Sequence, residues 1–249
     1  MKYKKFNNEN YEMLKYNKTI IVKDIKNKKY YEIDEDEYSY ENYILWENYS
    51  SKINNKFFVF YVTSFILLLI LNVNFYIFFN PKINFNNGKF IFILIIYVFI
   101  NIILHELAHI ISLMTLKRKI DKFGFKFNYV FPAFYVRMND VYMLTRKEKV
   151  FVHSSGLYIN LLINSILIYI SYYLKIDILL VACQFFVFGI IMNTIPILNS
   201  DGYKVLLSIF MYNEKKEKID NSIYIKIFSY LNLGLAGIYL IKLIFDFFV

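Results

Sequence analysis

From residue 57 onward the chain alternates between apolar runs of membrane-crossing length and charged connections; before residue 57 it does not. The runs are FFVFYVTSFILLLILNVNFYIFF (57–79), KFIFILIIYVFINIILHELAHIISLM (89–114), VFVHSSGLYINLLINSILIYISYYL (150–174), ILLVACQFFVFGIIMNTIPIL (178–198) and IYIKIFSYLNLGLAGIYLIKLIFDFFV (223–249). About 20 residues suffice for a helix to cross the hydrocarbon layer, so each run predicts one transmembrane helix. Residues 1–56 are hydrophilic. Within them, TIIVKDIKNKKYYEIDEDEY (19–38) predicts a strand, a turn over Asn27–Lys29 and a second strand, with a helix expected around 40–49. The expected fold is therefore an all-α polytopic membrane protein, residues 57–249, carrying a small α+β module over residues 1–56 that is a candidate for peptide binding.

One connection breaks the helical pattern. FGFKFNYVF (123–131) sets an aromatic residue at every second position, the period of a strand with one apolar face. Pro132 is expected to end or bend it. Beside a membrane, such a strand either lies in the interface as an amphipathic hairpin or serves as an edge for another chain.

Charge orients the helices. Lys and Arg concentrate in 117–149 and 199–222, whereas the alternate loops offer only Lys82, Lys89 and Lys175. Basic loops stay cytoplasmic, so the N-terminus is expected inside and the C-terminus outside. The net charge of +9 is thus explained by cytoplasmic loops, and no nucleic-acid partner is expected. The polar opening does not read as a cleaved secretory signal. A single cysteine, Cys183, rules out an internal disulfide framework and is compatible with a reducing compartment.

The second run holds the chemistry. It carries His105-Glu106-x-x-His109, and an ionisable residue at a membrane helix centre costs about 2.5–3.5 kcal/mol on insertion scales. Residues four apart share a helix face, so both imidazoles can hold one metal ion with Glu106 beside them. This is the HExxH arrangement of zinc hydrolases, in which the glutamate acts as general base toward water. A catalytic zinc needs a third protein ligand. His153 opens the third run and reads as an interfacial or helix-contact histidine; Asp140 and Glu148 fall in a charged loop and are expected to face water. Asp201, in NTIPILNSDG (193–202), remains. The second and fourth runs both head inward, and His109 lies about 10 Å before its helix ends near Leu116, at 1.5 Å per residue. Pro196 interrupts the fourth helix near the same leaflet and lets the chain fold back.

HELAH (105–109) together with NTIPILNSDG (193–202) resembles the site-2 protease family of intramembrane zinc metalloproteases. The resemblance covers roughly residues 90–210. It implies Zn2+ held by His105, His109 and Asp201, with Glu106 as the base. Asn193 matches the family's motif asparagine. SSGLYINLL (154–162) resembles the family's small-Gly-Pro-x-x-Asn stretch with Asn160 matched, although Leu157 stands where proline is usual. Both asparagines are candidates for supporting substrate or transition state. The family also implies a use for 123–131, as an edge strand that holds an unwound substrate extended. The N-terminal module and VFPAFYV (130–136) are similar to membrane peptide metalloproteases of bacterial peptide-maturation systems.

The expected function is a zinc metalloendopeptidase in the bacterial cell membrane, its site toward the cytoplasm, with the lipid bilayer and a membrane-associated protein or ribosomally made precursor peptide as partners. The competing reading is a non-catalytic membrane protein, a transporter accessory or immunity factor, that retains the motif. Three histidines are too few for a multi-histidine di-iron site.

Overall fold

The computed structural model describes residues 1–37, 45–79, 88–128, 131–196, 200–213 and the isolated positions 223, 226, 227 and 230. The fifth apolar run lies outside the described residues apart from those isolated positions.

Residues 1–49 form a five-stranded antiparallel sheet of order β4-β3-β2-β1-β5, with β1 Tyr3–Asn7, β2 Tyr11–Tyr16, β3 Thr19–Asp24, β4 Lys29–Asp34 and β5 Glu47–Tyr49. The β3–turn–β4 unit is the one read from 19–38, and Lys28 takes a positive φ of 53° in its turn. The helix expected over 40–49 is corrected: its last residues are a strand that pairs with β1, and 38–44 lie outside the described residues. Strand β3 is apolar on both faces because both are covered. Ile20 and Val22 pack with Met13, Phe6, Ile33 and Trp46 on one side. Ile21, Leu14 and Tyr16 pack on the other against Met143 and Met211, residues of the membrane core's end.

Four helices follow that are long and apolar enough to cross a membrane: α1 Asn55–Phe78, α2 Gly88–Thr115, α3 Arg146–Leu174 and α4 Asp177–Thr194. A short fifth, α5 Asp201–Phe210, folds back beside α3. Local chemistry sets the ends. Asn54 caps α1 by accepting from the Lys56 N–H at 3.1 Å. Thr145 and Glu148 cap α3 reciprocally, with Thr145 N–H and Oγ1 both donating to Glu148 Oε2 at 2.8 Å. Pro196 follows the last turn of α4 as expected, and Ser200 joins the two segments by donating to the Ile195 carbonyl and accepting from the Tyr203 N–H.

The helices are polar inward and apolar outward. Phe60, Leu67, Phe92, Ile95 and Ile111 are exposed, a face suited to lipid. Asn72 of α1 and Asn164 of α3 bond to each other at 2.7 Å, and Tyr97 of α2 donates to the Asn164 oxygen. Away from water such groups must find partners in one another.

Between α2 and α3 runs a two-stranded hairpin, β6 Lys122–Asn128 and β7 Phe131–Arg137. The single strand 123–131 is thereby corrected: it ends at Asn128, and Pro132 sits inside the second strand, opposite Phe127. A two-stranded ribbon is all edge, and an edge tolerates proline. Phe134 of β7 lies 6.0 Å, ring centre to ring centre, from Phe99 of α2, which holds the hairpin against the helix above the histidines.

The loop acids are also corrected. Asp140 and Glu148 are buried, not water-facing. Glu148 accepts the Lys52 N–H at 2.8 Å in addition to capping α3. Asp140 accepts from Lys23, from the Tyr30 hydroxyl and from the Lys119 N–H, which locks the sheet to the end of α2. Burial alone would raise its carboxyl pKa, but these donors hold it below the usual carboxylate range.

A buried ion pair completes the joint. Arg118 Nη1 meets Glu12 Oε1 at 2.8 Å and its Nη2 donates to the Met143 carbonyl. Removing one partner of such a pair strands the other charge and costs about 3–5 kcal/mol. Glu12→Leu is therefore expected to lower thermal stability markedly in detergent, whereas Glu9→Leu, exposed in the bend between β1 and β2, leaves it nearly unchanged; equal melting temperatures for the two would refute the pairing.

Candidate metal centre

Helix α2 brings His105 and His109 to one face, and the start of α5 brings Asp201 to meet them. His105 Nε2 lies 2.6 Å from Asp201 Oδ2. His109 Nε2 lies 3.2 Å from His105 Nε2 and 3.4 Å from the same carboxylate oxygen. All three residues are buried, and among the described residues they are the one group of three or more His, Cys, Asp or Glu with ligand atoms within 4.8 Å of one another.

These distances fit a zinc ion. Bonds of 2.0–2.1 Å in a tetrahedron put neighbouring ligand atoms about 3.3 Å apart. Two of the three separations match that edge. The third is a hydrogen-bond length, as expected for an imidazole N–H facing a carboxylate. Three protein ligands with a fourth position open is the donor set of a catalytic zinc rather than a structural one.

Each candidate ligand is held from behind. His109 Nδ1 donates to the Val152 carbonyl at 2.7 Å, with Ser155 Oγ at 3.2 Å. That bond leaves Nε2 free to bind metal. Asp201 is clamped by Asn193 in a reciprocal pair: Asn193 Nδ2 donates to Asp201 Oδ2, and the Asp201 N–H donates to Asn193 Oδ1, both at 3.1 Å. Lys204 takes the other carboxylate oxygen at 3.1 Å. The Asn160 amide contacts His105 Nδ1 at 3.0 Å. Both asparagines read from the sequence therefore touch ligands; the amide of Asn193 is committed to Asp201.

Glycines make the approach possible. A Cβ on Gly202 would come within 1.9 Å of the Thr194 carbonyl oxygen, so only glycine permits the fold-back after Asp201. A Cβ on Gly156 would lie 2.6 Å from both Nε2 atoms. Sequence reasoning missed that role, though three small residues in a row, Ser154-Ser155-Gly156, mark where another element can come close. His153 stands apart, half-buried on α3 with no hydrogen-bond partner for Nδ1.

Glu106 differs from its neighbours. Its carboxylate makes no hydrogen bond to a described residue, and it lines a cleft of about 430 Å³ together with His105, Phe134, Phe186, Gly189 and Asn193. A carboxylate beside these candidate ligands, at the wall of a largely apolar cleft, is equipped to move a proton.

The chain is 38% identical over 240 residues to "Putative peptide zinc metalloprotease protein YydH" of Bacillus subtilis, an alignment that covers 95% of each protein. No family model and no solved structure matches it.

Proposed function

The chain belongs to the family of peptide zinc metalloproteases represented by YydH, and on that footing we propose that it hydrolyses peptide bonds within the membrane in the manner of a site-2 protease. The observation that carries the reading is the meeting of His105, His109 and Asp201 from distant stretches of chain, with an unengaged Glu106 beside them on an apolar cleft. In this reading those three residues hold the zinc and Glu106 is the general base. Residues 57–249 form the protease domain, and the sheet of residues 1–56 is a cytoplasmic module that binds the substrate. The loop charges support a cell-membrane protein with its N-terminus and active site on the cytoplasmic side. The substrate is a ribosomally made precursor peptide or another membrane-associated polypeptide.

When bound, zinc lowers the pKa of water and polarises a carbonyl. The protein's own groups do the rest. Glu106 takes a proton from water as the water oxygen bonds to the scissile carbonyl carbon. It then delivers that proton to the amide nitrogen as the C–N bond breaks, so one water is consumed and an acid and an amine result. The β6–β7 ribbon supplies an open edge that holds the substrate extended and within reach of this carboxylate. The apolar cleft wall keeps bulk water from competing.

Metal removal tests the reading. Reconstituted in lipid nanodiscs, the protein is expected to carry about one zinc per chain and to cleave members of a quenched-fluorescent peptide library. Dialysis against a chelator abolishes the signal and added zinc restores it. Cleavage that survives complete removal of metal would overturn the assignment.

A further inference from the structure

Among the described residues, Asn160 carries a buried polar atom that touches no hydrogen-bond partner at the centre. Its side chain is buried, and its Oδ1 has no hydrogen-bond partner while its Nδ2 sits 3.0 Å from His105 Nδ1. A buried carbonyl oxygen is satisfied only where it faces a donor.

His105 supplies that state. With Nδ2 donating to Nδ1, the ring must carry its own proton on Nε2, where it faces Asp201 Oδ2 at 2.6 Å. Once Nε2 gives its lone pair to zinc, the proton must sit on Nδ1, and the ring becomes a donor there. Among the described residues, Asn160 is the hydrogen-bond partner at Nδ1. An amide keeps its shape when oxygen and nitrogen exchange places by a half-turn about the Cβ–Cγ bond. In that orientation the oxygen accepts from Nδ1–H and the amide nitrogen takes the place that has no partner.

Resting on the metal site proposed above, we infer that Asn160 is the positioning residue that fixes the His105 tautomer for zinc, its amide oxygen accepting from Nδ1–H. Asn160 thereby does for His105 what the Val152 carbonyl does for His109. A backbone carbonyl can only accept, and an amide oxygen turned toward Nδ1 accepts in the same way. This is a role toward metal and not toward substrate. Partners of this kind change metal affinity by about 10–100-fold.

The test reads zinc affinity directly, by competition with a chromophoric chelator, and the cobalt absorption spectrum of the substituted protein. Asn160→Leu keeps the shape and removes the acceptor; it is expected to weaken zinc binding 10–100-fold and to perturb the cobalt bands. Asn160→Asp keeps an oxygen acceptor and is expected to match or exceed wild type. Asn160→Ala serves where the leucine variant fails to fold, with the same loss expected. Unchanged zinc affinity in the leucine or alanine variant would overturn the inference, as would an equal loss in the aspartate variant. A wild-type protein whose zinc affinity is indifferent to His109→Ala would instead refute the metal site itself.

Discussion

Glu106→Gln is expected to reduce peptide hydrolysis by 10²- to 10⁴-fold while leaving zinc content at the wild-type level. The range is that of a positioned general base, and at 1.36 kcal/mol per tenfold it corresponds to about 2.7–5.4 kcal/mol of barrier. Glutamine keeps the size and shape of the side chain and removes only its basicity. The substitution is clean here because the carboxylate has no hydrogen bond to a described residue, so no protein network collapses with it. His105 and His109 stay fastened through Asn160 and Val152, so metal should remain. Rates with a cleaved library peptide, measured beside metal content by mass spectrometry, decide the matter. Loss of zinc along with activity would make Glu106 a ligand instead. Undiminished cleavage would remove it from the chemistry and favour a different base.

How much of this was legible before any coordinates depends on how local each signal is. The four described helices were plain because an apolar run of bilayer length has few other fates, and the ends near Leu116 and Pro196 followed from charge and from proline's missing N–H. The pair His105 and His109 was legible because i and i+4 share a helix face. Asp201 was reachable only by combining span direction with the break at Pro196, since an Asp-Gly pair alone reads as a turn. What stayed hidden was non-local. The burial of Asp140 depends on Lys23 and Tyr30 more than 100 residues away, and a charged loop gives no hint that a sheet will cover it. The strand at Glu47–Tyr49 is only three residues long, and 39 residues separate it from the end of β1, with which it pairs, so local propensity misread it as helix. The hairpin was half read. The alternation at 123–131 spans both strands because residues 129 and 131 continue the period beyond Asn128, where the first strand stops.

The second large effect is expected from a methyl group. Gly156→Ala should weaken zinc binding by about 10²-fold or more and reduce cleavage at least as much, whereas Gly189→Ala should leave zinc binding unchanged. Both glycines lie inside helices, α3 and α4, and at an open helix position alanine stabilises by about 0.5–1 kcal/mol over glycine. A Cβ at Gly189 meets nothing within 4 Å, so that ordinary gain applies there. At Gly156 the same atom would sit 2.6 Å from His105 Cε1, from His105 Nε2 and from His109 Nε2. Real contacts of this kind are not made at that distance, so the rings must retreat by roughly an ångström. They are not free to do so. His109 is tied to the Val152 carbonyl and Ser155, His105 to Asn160 and Asp201, and all four anchors would be strained or lost. A shift of about 1 Å at a catalytic group is worth about a hundredfold in rate, and the ligand set would suffer before the chemistry did. Zinc affinity and cleavage are compared for the two alanine variants beside their melting temperatures in nanodiscs. If Gly156→Ala bound zinc as tightly as wild type with its fold intact, α3 would not pass as close to the imidazoles as described, and the metal centre would have to be rebuilt around a different helix.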